Sequence, residues 1–143
     1  MGRGTHIRPS KVQPFKCSDV YTSRMILDHT NSEAKKTHIN QGILKAGGKL
    51  SGGVHGTPEQ QHDETYIILK GHCKLNLDEE TISLEPGDVV FIPGGTFHGL
   101  DNSEGSEDVV LFTIWAGVPP EGVNGAYDMR LKAWGESFRL VED

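Results

Sequence analysis

Between Gly87 and Asn102 the chain reads GDVVFIPGGTFHGLDN, and this segment constrains the fold more than any other. The run Val89 to Ile92 is β-branched and aromatic, and Pro93 ends it. Gly94 and Gly95 then supply the backbone freedom that a sharp reversal needs. The chain leaves the reversal with His98 at the start of the next strand. An imidazole carried on rigid strands keeps a fixed orientation, which suits a metal or substrate site better than a mobile loop does. The segment requires strands joined by a tight turn and makes His98 a candidate functional residue.

The remaining chain follows the same style. TSRMIL, INQGILKAGG, ETYIILKGHCKLNL, TISLEPGDVVFIP and VVLFTIWAG are strand-like runs separated by turn signals. Eighteen glycines and seven prolines, scattered between short apolar runs, favour tight turns over long helices. The expected class is therefore all-β. LNLDEETISL reads as a hairpin with Asp78, Glu79 and Glu80 in its turn. The segment from Met1 to Val20 has no sustained period and is expected to form an extended arm or edge strand. After Pro119 and Pro120 the apolar residues come irregularly, so residues 118–143 read as a C-terminal tail with one short helix around Tyr127 to Trp134. One domain over residues 1–143 is expected, its barrel spanning about 21–117.

Side chains two apart on a strand share a face, so Glu64, Tyr66 and Ile68 project together. A carboxylate inside a barrel is costly unless it is paired, and a bound cation is one way of pairing it. Tyr66 stands beside it, with a hydroxyl able to reach a ligand. Phe91, Phe97, Phe112 and Trp115 are further candidates for an apolar wall around the site.

The formal net charge of −6 over 143 residues opposes binding to nucleic acid. Cys17 and Cys73 fit no metal or redox spacing and read as two reduced thiols. No run approaches the ~18 apolar residues of a membrane span, and the first residues lack the apolar centre of a signal peptide, so a cytoplasmic protein is expected.

The 87–102 segment resembles the second motif of the cupins, G-x5-P-x-G-x2-H-x3-N, and matches it at Gly87, Pro93, Gly95, His98 and Asn102. The first cupin motif, G-x5-H-x-H-x3,4-E-x6-G, is similar to this chain in its closing half, Glu64 and Gly71. Its opening half departs: counted back from Glu64, the histidine positions hold Pro58 and Gln60, or Thr57 and Glu59. Counted forward from Gly47 and Gly48, His55 matches the second histidine, with a longer loop before Glu64. His62, two residues before Glu64, is the candidate replacement for the first, and Gln60 is an alternate oxygen ligand. His6, His29, His38 and His72 match no motif position and are expected at the surface or at strand ends.

The resemblance implies a double-stranded β-helix, or jelly roll, with a short N-terminal arm and a C-terminal tail. It implies one divalent transition metal ion, Zn²⁺, Fe²⁺, Mn²⁺, Ni²⁺ or Cu²⁺, held by His55, His62, Glu64 and His98. The expected function is a metal-dependent enzyme of oxygenase, isomerase or lyase type acting on a small polar metabolite. Glu64 and Tyr66 are its candidate catalytic residues. The alternative is a non-catalytic small-ligand-binding or sensing module. No membrane partner is expected. Because related cupins cover their open sheet edges by pairing, a homodimer involving the first twenty residues is expected.

Overall fold

The computed structural model describes residues 2–53, 63–117, Gly122, Tyr127, Asp128, Leu131, Arg139 and Leu140. These residues form ten strands: β1 Pro14–Lys16, β2 Tyr21–Leu27, β3 Thr37–Leu44, β4 Asp63–Lys70, β5 Cys73–Leu77, β6 Glu80–Leu84, β7 Val89–Ile92, β8 His98–Asp101, β9 Val109–Ala116 and β10 Arg139–Leu140. They pair antiparallel in two sheets, one in the order β10-β1-β2-β3-β9-β4-β7 and one in the order β6-β5-β8. Neighbours in space are often distant in sequence: β9 sits between β3 and β4, and β8 pairs with β5. The result is the jelly roll expected from the sequence.

Alternation along the strands makes the barrel. On β3, β4 and β9 every second residue is buried, and the register brings the buried positions of adjacent strands opposite one another. Leu44, Ile68, Val109 and Leu111 of the large sheet meet Leu75, Leu84 and Leu100 of the small one in a single apolar core. β2 changes phase at a bulge between Met25 and Leu27, which buries Met25 and Ile26 in succession.

Two strand-like runs are each divided by glycine. ETYIILKGHCKLNL breaks at Gly71, whose φ of +84° turns the chain out of the large sheet and into the small one. TISLEPGDVVFIP breaks likewise at Gly87, φ +94°, so that β6 and β7 belong to different sheets. The β5–β6 hairpin is tighter than the sequence implies. Glu80 pairs with Leu77, leaving Asp78 and Glu79 as the turn, with Asp78 at φ +51°.

Near the N-terminus a 3-10 turn at Pro9–Lys11 precedes β1, which pairs with β2 on one side and β10 on the other. Tyr127, Asp128 and Leu131 are helical, in the stretch where a short helix is expected. The Tyr127 ring meets Phe15 edge to face at 5.3 Å, and its amide donates to Asp28 Oδ2 at 2.9 Å. These contacts pack part of the tail against the barrel beside β1. Among the described residues no helix is long and apolar enough to cross a membrane.

Candidate functional site

Glu64 begins the inward face of β4 in the large sheet, and His98 opens β8 in the small one. Both are almost fully buried, at 2% and 4% exposure. Their side chains meet across the interior, His98 Nε2 lying 3.1 Å from Glu64 Oε2. The second ring nitrogen settles what that contact is. His98 Nδ1 lies 2.9 Å from the Thr96 carbonyl, which can only accept, so Nδ1 carries a hydrogen. A neutral ring would then turn the Nε2 lone pair on a carboxylate. Two acceptors face each other, and a positive species has to lie between them: a proton or a cation.

Burial acts to lower the His98 pKa, but the hydrogen bond and charge of Glu64 and the Thr96 carbonyl outweigh it, and the value is raised. The proton-bridged pair is the form that satisfies both groups in the absence of a metal. An imidazole anchored through Nδ1 to a backbone carbonyl, with Nε2 presented to the interior, is also the usual arrangement of a metal-ligating histidine. The pair therefore fits one nitrogen and one oxygen ligand of a divalent ion. Tyr66 completes this side, its ring packed edge to face on His98 at 5.8 Å between centroids. The β4 alternation places it next to Glu64 on the inner face.

The inner surface continues around the large sheet as a polar band. Glu64 stands opposite Trp115 on β9, and Trp115 opposite His38 on β3. One step deeper, Tyr66 stands opposite Thr113 and Thr113 opposite Asn40. The Asn40 amide donates to Thr113 Oγ1 at 3.3 Å and to the Tyr21 hydroxyl at 3.4 Å. Gly42 makes room for the Tyr21 ring, since a Cβ at position 42 would collide with it. Asn40, Thr113 and Tyr21 are hydrogen-bonded and buried. His38 is different: it is 2% exposed, and among the described residues neither ring nitrogen has a hydrogen-bond partner. The peptide groups of Lys35 and Gly117 lie near enough to favour its charged form, without hydrogen-bond geometry.

The structure thus brings together three of the residues singled out by sequence, Glu64, Tyr66 and His98. His55, Gln60 and His62 lie outside the described residues. Among the described residues no group of three or more His, Cys, Asp or Glu side chains is arranged to hold a metal ion. Of the expected aromatic wall, Tyr66 and Trp115 are buried, whereas Phe91 and Phe97 point outward at 57% and 41% exposure. Phe91 lies one residue out of phase with inward Ile92, and Phe97 precedes inward His98. Phe112 likewise alternates out of the interior between Leu111 and Thr113. His38 lies near the start of β3, one of the two places expected for it, but faces the barrel interior and not solvent. Its alternation with Asn40, Gly42 and Leu44 on β3 is the signal that points inward. Cys17 and Cys73 are buried and form no disulfide, and the Cys17 thiol donates to Ser23 Oγ at 3.3 Å. Burial and the nearby Asp101 charge push the Cys73 thiol up to about 11, which keeps it protonated.

Comparison with known proteins agrees with this fold. The profile of the cupin domain family matches residues 44–115. An uncharacterized protein of Methanocaldococcus jannaschii is 29% identical over 92 residues, covering 64% of this chain and 70% of that protein. Among solved structures, a predicted oxalate decarboxylase of Thermotoga maritima superimposes with a TM-score of 0.68 at 19% identity, covering 80% of this chain and all of its own. The polyketide cyclase RemF of Streptomyces resistomycificus gives a TM-score of 0.68 at 17% identity, covering 94% and 96% of the two chains. At such identities the likeness is one of fold.

Proposed function

This chain belongs to the cupin domain family, and from that premise we propose that it is a metal-dependent enzyme acting on a small polar metabolite, by chemistry of oxygenase, isomerase or lyase type. One divalent transition metal ion would be held by Glu64 and His98 together with His55 and His62, with Gln60 as the alternate donor. The observation that carries the proposal is the facing pair His98 Nε2 and Glu64 Oε2 at 3.1 Å, with Nδ1 already committed to Thr96. Two buried acceptors converging from opposite sheets need a positive species between them, a proton or a metal ion, and the proposal takes the metal ion as the functional form. A bound divalent ion supplies Lewis-acid polarisation of a substrate oxygen.

The chain's own residues have separable parts. The Thr96 carbonyl fixes the His98 tautomer, and the Tyr66 ring fixes its plane. Glu64, buried on the inner face, would take a proton from a substrate carbon or hydroxyl once it loosens from the metal. Trp115, opposite Glu64 on the inner face, supplies an apolar surface against which the carbon skeleton of a substrate would rest.

Elemental analysis of purified protein tests the proposal. Near-stoichiometric metal is expected in the wild type, with loss in Glu64→Gln and His98→Ala. His55→Ala and His62→Ala then assign the remaining donors. Absence of metal, unrestored by Zn²⁺, Fe²⁺, Mn²⁺ or Ni²⁺, would overturn it. That outcome would favour the second reading, a non-catalytic small-ligand-binding module, which the irregular opening half of the first motif supports. In such a module Glu64→Gln leaves ligand affinity largely intact, whereas in the enzyme it abolishes turnover.

A further inference from the structure

We propose that His38 is a substrate-binding residue on the inner face of β3, two strands from Glu64, taking an uncharged hydroxyl or carbonyl group of a ligand whose other pole lies at Glu64 and His98. The inference rests on the reading of the Glu64–His98 pair as the functional site and adds the chemistry of what binds there.

Position comes from register. His38, Trp115 and Glu64 form one row across β3, β9 and β4, and all three are buried on the inner face. Two strand spacings separate His38 from Glu64, about 10 Å between backbones. Between them the Trp115 ring meets the His38 imidazole edge to face at 6.1 Å. The row thus runs polar, apolar, polar, and it suits a short carbon skeleton with a polar group at each end.

His38 also has capacity to spare. A buried polar side chain ordinarily finds a partner, yet both ring nitrogens of His38 lack one among the described residues. A packing role alone would be served better by phenylalanine, which fills the same space against Trp115 and buries no unpaired nitrogen. The titratable groups that act on the ring are Asp28, which favours its charged form, and His29, which opposes it. Burial is the larger influence and keeps the ring neutral. A neutral imidazole offers one donor and one acceptor, the complement of a hydroxyl, or a donor for a carbonyl. It is not an anion clamp.

The test measures binding of 4-hydroxybutanoate and 6-hydroxyhexanoate, each against the acid lacking the hydroxyl and against the corresponding diacid, by calorimetry on protein of recorded metal content. One hydroxy acid is expected to bind about five-fold or more tighter than its plain acid, the gain of one neutral hydrogen bond. His38→Phe is expected to erase that preference while raising thermal stability, and the ¹⁵N shifts of the His38 ring are expected to move when the hydroxy acid is added. Glu64→Gln and His98→Ala should weaken every member of the series. If His38→Phe keeps the hydroxyl preference while those two variants still weaken binding, the role of His38 fails and the Glu64–His98 pair stands as the site. If Glu64→Gln and His98→Ala change nothing, the site reading itself fails. Failure of every probe to bind wild-type protein also overturns the inference.

Discussion

At position 38 the chain keeps an imidazole whose nitrogens have no partner among the described residues, where an aromatic hydrocarbon would pack without that cost, and titration makes the cost measurable. Burial lowers the His38 pKa from its ordinary 6.5. The unfolded chain therefore binds a proton at this position before the folded one does, and stability is lost as pH falls. Above pH 6.5 both states are neutral there and the group contributes no slope. Below that value, down to the lowered native pKa, wild type should lose stability relative to His38→Phe. Urea unfolding of the two proteins from pH 8 to about pH 5 checks this, and parallel curves would show that His38 is not held neutral. The difference between variants matters because His98, whose pKa is raised, contributes the opposite slope in metal-free protein. His98 and Glu64 were legible from sequence because a local motif carries them. His38 carries no motif, and its role depends on pairing with Trp115, seventy-odd residues further along the chain. No local pattern encodes that register.

The strands themselves were legible from alternation, since a half-buried strand has to alternate. What alternation conceals is the change of sheet, because the apolar pattern continues through Gly71 while the chain turns. A Cβ there would meet the Asp108 carbonyl at 2.6 Å in a backbone with φ +84°. The 102–108 connection shows the same dependence on small details. The Asn102 amide donates to the carbonyls of Leu44, Lys45 and Glu107, at 3.3, 3.1 and 2.9 Å, joining the end of β3 to the loop before β9. Asn102 is a fixed position of the motif that includes His98, and its contacts here are to backbone, away from the histidine. Asn102→Ala should cost about 2–3 kcal/mol by leaving buried carbonyls without donors. Gly105→Ala should be similarly damaging, because a Cβ would strike the Asn102 carboxamide oxygen. Denaturant titration of both variants checks this; losses below about 0.5 kcal/mol would mean the loop rearranges at little cost.

The seven-stranded sheet has a second face, and its composition bears on how the whole molecule exists in solution. The out-of-phase residues form rows across the strands: Phe91 beside Thr65, Ile114 and Ile39, and Val89 beside Ile67 and Phe112. Val89 and Phe91 are 64% and 57% exposed and sit on β7, the last strand of the sheet. Single exposed apolar residues are ordinary on a protein surface, but a continuous row ending at a strand that has no further neighbour among the described residues is a surface that association would cover. A second copy of the chain is the partner that such a self-complementary face admits by two-fold symmetry. We predict a homodimer, with light scattering giving twice the 15.7 kDa chain mass at micromolar concentration. Phe91→Lys should shift the equilibrium toward monomer without loss of fold, since the outward side chain supports nothing inside the barrel. The same variant separates assembly from chemistry. Glu64 and His98 meet within one chain, so the Phe91→Lys monomer should retain the metal content of the wild type. A wild-type monomer under these conditions would remove the dimer. Metal lost together with dimerisation would show that the site depends on the partner copy for its integrity.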